Sequence, residues 1–120
     1  MDNAVGFHGA AKTLMDLYRP GQNANPIITE IVAAAIAYAD AVTARHGNRI
    51  NQQDHLALGD LLRAVLGNRL PNPQLANLKA ILSQKDEASY GVRAGSHTQA
   101  ARLYARLDEF AAWVQTELAR

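Results

Sequence analysis

The sequence predicts an all-α protein, a five-helix and mostly up-and-down bundle, and three observations carry that prediction. The chain holds 23 Ala and 14 Leu against 6 Val and 6 Ile. Ala and Leu lose little side-chain entropy in a helix, so this ratio disfavours strands. Apolar residues recur at three- and four-residue intervals in five separate stretches, the period of amphipathic helices. The four prolines and eight glycines gather between those stretches, where they punctuate the chain. No internal repeat, low-complexity tract or long linker divides the 120 residues, so residues 1–120 read as one domain. A domain of that length buries roughly two-thirds of its unfolded surface.

Helix one carries Phe7, Ala10, Ala11, Leu14 and Leu17 or Tyr18 as its inward stripe and closes at Arg19-Pro20-Gly21-Gln22-Asn23. Asn25-Pro26 reads as a cap followed by proline in the first helical position, where its missing N–H is harmless. Helix two then runs to about Arg45. Its face of Ile28, Ile31, Val32, Ala35, Ile36, Ala39 and Val42 is flanked by further alanines, and a helix apolar nearly all round is usually central. His46-Gly47-Asn48 supplies the stop. Helix three opens near Asn51-Gln52-Gln53-Asp54, close to a capping box. It presents Leu58, Leu61, Leu62, Val65 and Leu66, and ends at Gly67-Asn68. Asn72-Pro73 opens helix four, with Leu75, Leu78, Ile81 and Leu82 inward; its end falls near Gln84 or as late as Tyr90. Ser96-His97-Thr98-Gln99 has the capping-box form. It opens a long last helix with Ala100, Leu103, Leu107, Phe110, Val114 and Leu118 on one side.

Composition excludes several function classes. Without cysteine there is no thiol nucleophile, disulfide framework or Cys-type zinc site. Twelve basic residues against eleven acidic ones leave a formal +1, too little for a strong nonspecific hold on nucleic acid or anionic lipid. The first residues lack the basic and apolar regions of a signal peptide, which leads one to expect a cytoplasmic protein. The longest apolar run, residues 31–39, falls well short of the ~20 residues that cross a bilayer. No Glu-x-x-His pair for a di-iron centre and no Walker-type phosphate loop is present. Helix three offers only Arg63 between its start and Arg69, a poor DNA-reading helix, so sequence-specific DNA is not an expected partner. Neither a metal nor a cofactor is indicated.

If the helices alternate in direction, the turn between helices two and three meets the turn between helices four and five at one pole. The first turn carries Arg45, His46, Arg49, Asp54 and His55. The second carries Lys85, Asp86, Glu87, Tyr90, Arg93 and His97. Arg45, Arg49, Lys85 and Arg93 can hold phosphate, with His55 beside them and Tyr90 as a stacking surface. Metal-independent RNA cleavage needs a base for the 2′-OH and a cation at the phosphate; His97 with Arg93 supplies that pair, and His55 with Arg49 is the alternative. Each residue also has a structural role open to it. Arg45 and His46 complement the dipole of a helix C-terminus, worth 0.3–1 kcal/mol, and Asp54 can be a cap partner. A third reading treats the chain as an oligomerisation or protein-interaction module, most simply a homodimer, through the Ala-rich helix two or the Tyr104 and Trp113 flank of helix five.

The stretch Lys85-Asp86-Glu87-Ala88-Ser89-Tyr90-Gly91, followed by the capped last helix, resembles the end of a HEPN domain, where a basic residue and Ala-Asp-Tyr precede that helix. Lys85, Ala88 and Tyr90 match, and Ser89 stands in place of the Asp. The resemblance is loose over the chain and specific over about 20 residues. It implies a small cytosolic bundle, commonly dimeric, from toxin-antitoxin, nucleotidyltransferase-associated or RNA-processing systems, with a nucleotidyltransferase or antitoxin as partner. Nuclease members carry Arg, four to six residues, then His before the last helix. Here Arg93 and His97 are separated by three residues, while Arg49 and His55 have a permitted spacing but precede helix three. The resemblance therefore implies a noncanonical member that binds nucleotide or RNA more readily than it cleaves.

Overall fold

The computed structural model describes residues 1–46, 57–84 and 95–120. Among them the helices are α1 (Asp2–Leu17), α2 (Asn25–Arg45), α3 (Leu58–Leu66), α4 (Asn72–Leu82) and α5 (His97–Leu118), with a 3-10 turn (Gly67–Arg69) after α3 and no strand. The chain is an all-α bundle. Arg19-Pro20-Gly21-Gln22 closes α1 in a turn with Gly21 at φ 90° and the Gln22 N–H donating to the Arg19 carbonyl at 3.1 Å. Proline followed by a left-handed glycine is what a type II turn requires. The last helix starts as its capping pattern predicts, with the Ser96 hydroxyl accepting from the Gln99 N–H at 3.0 Å. α4 ends at Leu82, the earlier of its two expected limits. The expected opening of helix three at residues 51–54 lies outside the described residues.

Two proline starts differ in detail from the expectation. Asn25 and Asn72 are the first helical residues, not side-chain caps. The side chain that serves α2 is Asn23, whose Oδ1 accepts from the Asn25 and Gly95 N–H groups at 2.9 and 3.0 Å. Asn72 instead accepts from Arg63 at 2.6 Å. That arginine also donates to the carbonyls of Gly67 and Leu70 and so fastens the α3–α4 turn.

α2 is the centre of the molecule. Ile27, Ile28, Ile31, Val32, Ala34, Ala35, Tyr38, Ala39 and Val42 are all buried. It is long and apolar enough to span a membrane by length and composition, but 56% of that stretch is buried inside the bundle. α1 packs most extensively on α2, and its expected stripe holds in part: Ala11 is buried and Leu14 and Tyr18 pack against the core, but Phe7 and Leu17 do not turn inward. Ala4 and Ala11 are fully buried, while Phe7 is 38% and Leu17 67% exposed. Small side chains let the two backbones approach closely, which leaves Phe7 and Leu17 at the rim while Leu14 and Met15 pack against the core.

The expected meeting of the two polar turns is corrected by the direction of α2 and α5. The Ala24 N–H donates to the Gly95 carbonyl at 3.0 Å, so both helices begin at one pole. Arg45, at the end of α2, bonds to Leu118 and Arg120 at the other pole. α2 and α5 therefore run in the same sense. α4 is antiparallel to α5, since Asn77 bonds to Arg106 and Glu109 and Gln84 accepts from Gln99 at 2.5 Å. α3 starts level with α4's Leu75 and Lys79, against Gly59, and its following turn reaches Glu117 through Arg69. It descends alongside α2, so alternation fails at that one step.

Candidate functional site

The correction separates the predicted site residues. Arg45 and His97 stand at opposite ends of the 22-residue α5, about 33 Å apart along its axis. Arg45 is engaged structurally: its guanidinium donates to the carbonyls of Leu118 and Arg120 at 2.5 and 2.6 Å. The Leu118 carbonyl is among those a helix end leaves without partners. His97 is the first residue of α5, and its exposed ring stacks on Tyr18 with centroids 4.6 Å apart and planes 29° from parallel. Arg49, His55, Lys85, Tyr90 and Arg93 lie outside the described residues, as do Asp54, Asp86 and Glu87. Of the predicted pair Arg93 and His97, only the histidine can be placed.

The strongest polar constellation among the described residues was not anticipated. His8 on α1 sits between Tyr38 on α2 and Asp108 on α5: Nδ1 lies 2.8 Å from the Tyr38 hydroxyl and Nε2 2.7 Å from Asp108 Oδ1. Tyr104 meets the imidazole edge-on at 5.5 Å between centroids. Burial first, then the Asp108 carboxylate, push the pKa of both phenols above their ordinary value. The Asp108 carboxylate can only accept, so Nε2 carries the proton directed at it, and in the neutral imidazole Nδ1 then accepts from the Tyr38 hydroxyl. One imidazole thereby ties three helices together. Val5, His8, Gly9, Lys12, Tyr38, Tyr104 and Gln115 line an open groove of about 280 Å³ at this place. Lys12 is held by Asp16 at 3.2 Å. Both ring nitrogens of His8 are occupied and Tyr38 is 1% exposed, so the arrangement serves as a clamp and offers no free base.

Sequence reasoning missed this cluster because its members are 30 and 100 positions apart. One signal was present. His8 shares a helical face with the buried Ala4 and Ala11 at spacings of four and three, and a polar side chain in a core-facing register needs a partner.

The pole where α2 and α5 begin gathers the remaining features. Two macrodipoles place their positive ends there, beside Arg19 and the His97–Tyr18 stack. The described residues that flank positions 85–94, Gln84 and Gly95, are both anchored there, the first to Gln99 and the second to Asn23 and Ala24. Gly95 is required: a Cβ on it would lie 2.5 Å from Asn25 Oδ1 and 2.9 Å from Ile28 Cδ1. Comparison with protein-family models, with curated proteins and with solved structures gave no match to this chain.

Proposed function

We propose that the chain is a HEPN-like bundle that binds the phosphate of a nucleotide or RNA at the pole where α2 and α5 begin. The observation that carries this reading is the shared direction of the two longest helices, which sums their positive ends in one place. The first N–H groups of α2 are already used by Asn23 and Gly95. Phosphate is therefore held by side chains, with the helix field as background. Arg19 and His97 are the described contributors, and the Tyr18–His97 stack offers a ring surface for a base. Lys85 follows Gln84 directly in sequence and Arg93 precedes Gly95 by two, so two further cations belong to the same segment. Arg45 has no part in the site, because it closes the far end of α5. Binding is favoured over cleavage, since the one described histidine at this pole is stacked on Tyr18.

Titration of ¹⁵N-labelled protein with ATP, GTP and a short RNA tests the reading. Shifts should cluster at Tyr18, Arg19, His97 and Thr98, weaken steeply with salt, and be lost in Arg19→Glu. Unmoved signals at that pole with any of the three ligands would sink it.

A further inference from the structure

α1 and α5 both lie against α2 and meet each other far less, which leaves a groove between them. Its volume of about 280 Å³ stands at the small end of ligand pockets, about 300–1,000 Å³. Two features of its lining are not accounted for by the fold. Gly9 sits in mid-helix, where glycine is weaker than alanine, yet a Cβ there would meet nothing within 4 Å. Packing does not require this glycine; its effect is to leave bare backbone along one wall. The second feature is Tyr104, half-buried, whose ring edges His8 while its hydroxyl bonds to none of the described residues. α1 runs antiparallel to α5, since Tyr18 meets His97 and His8 meets Asp108. Lys12, one turn after His8, and Tyr104, one turn before Asp108, therefore share one end of the groove, and the Lys12 charge acts on the Tyr104 phenol.

We propose that this groove binds a small aromatic carboxylic acid, its carboxylate held by Lys12 and the Tyr104 hydroxyl and its ring laid along Gly9 toward Val5. Among the described residues that line the groove, Lys12 is the only Lys, Arg, Asp or Glu. An ammonium and an uncommitted O–H at one end select an acceptor that carries negative charge. The nearest acids do not oppose it. Asp108 turns Oδ1 to the His8 ring, and Asp16 holds Lys12 only through a pair whose side chains are 65% and 66% exposed, a contact readily exchanged for a ligand carboxylate. The glycine wall and Val5 select a flat apolar body, because a side chain at position 9 would stand where the ring lies. His8, fixed between Tyr38 and Asp108, sets the depth of the groove before any ligand arrives, so little protein has to be ordered on binding. A ligand of this size dissociates at about 1 mM.

Titration of the ¹⁵N-labelled chain with phenylacetate at neutral pH reads this directly. The amides of Gly9, Lys12 and Tyr104 should move together, while acetate, which lacks the ring, and benzylamine, which carries the opposite charge, should bind at least about tenfold more weakly. Gly9→Leu should weaken phenylacetate about tenfold or more and melt no lower than the parent, because leucine favours a helix over glycine and its Cβ starts in open space. Lys12→Met and Tyr104→Phe should each weaken binding about three- to tenfold. Groove amides that stay still at tens of millimolar phenylacetate overturn the proposal. So does a Gly9→Leu variant that binds like the parent, or benzylamine that binds as well as phenylacetate. Shifts confined to Arg19 and His97 overturn it too, since they put the carboxylate at the pole instead of the groove. An Arg19→Glu chain should bind phenylacetate as the parent does, which keeps this result separate from the fate of phosphate binding.

Discussion

Removing the Tyr38 hydroxyl tests whether the imidazole clamp holds the three helices. Tyr38→Phe keeps the ring and its edge-to-face contact with His8, 5.7 Å between centroids at 88°, and deletes only the bond at 2.8 Å. His8 then has an unserved nitrogen, but its side chain is 19% exposed and water reaches part of it, so the cost is about 1 kcal/mol. His8→Ala is worse. It strands a phenol on a residue 1% exposed, which costs about 1–3 kcal/mol before lost packing is counted. Asp108 is 54% exposed and regains solvent when the imidazole goes, so Asp108→Ala costs at most about 1 kcal/mol. The double variant removes the stranded phenol, and its loss should fall short of the summed single losses by about 1–2 kcal/mol. Urea unfolding at neutral pH followed by circular dichroism measures all four, and 1 kcal/mol corresponds to about 4 °C in Tm at this chain length. Additivity within about 0.3 kcal/mol, or Asp108→Ala as the costliest change, would refute the clamp.

Gly95→Ala should destabilise by about 1–3 kcal/mol through overpacking, because the new carbon meets Asn25 and Ile28; Gly9→Ala, where a Cβ meets nothing within 4 Å, should gain up to about 1 kcal/mol, and thermal melts separate the two. Arg45→Ala should leave the end of α5 without its two guanidinium bonds, which raises amide hydrogen exchange over residues 115–120 while exchange near residue 97 stays at the parent rate. Tyr38 and Tyr104 both hold their protons above the ordinary value of 10.0, so their stabilising contribution is complete below pH 10 and is lost as pH rises through the raised folded values. Absorbance of tyrosinate should show a late phase whose amplitude drops in Tyr38→Phe, and an unchanged amplitude contradicts the shielding.

Local features of the bundle were legible because their causes are local. The Ser96 cap and the Pro20-Gly21 turn each depend on a few neighbouring residues whose conformational preferences act alone, whereas no breaker marks the end of α4, which the sequence leaves open. Helix direction is different. Alternation follows from short connections, and the step from α2 to α3 spans residues 46–57, long enough to carry the chain back along the bundle. With that step, α2 and α5 became parallel, so the pole expected to unite Arg45 with His97 split into two. The described residues on either side of positions 85–94, Gln84 and Gly95, both lie at the pole of His97, while positions 85–94 lie outside the described residues.

Phe7 and Leu17 are misplaced in the expected inward face of α1, and the reason is one of packing. Hydrophobic periodicity ranks side chains by apolarity, and on that scale Phe7 and Leu17 outrank Ala4 and His8. Packing weighs distance as well: dispersion contacts accumulate along two whole backbones when small residues let helices close up, and α2 supplies alanine along most of its length. Ala4 and Ala11 go in with Leu14 and Met15 packed beside them, His8 between the two alanines is satisfied by Tyr38 and Asp108, and Phe7 and Leu17 are turned to the rim. The alanine excess that predicts helices therefore also decides which side of α1 is buried, because the closest approach of two backbones goes where both carry small residues.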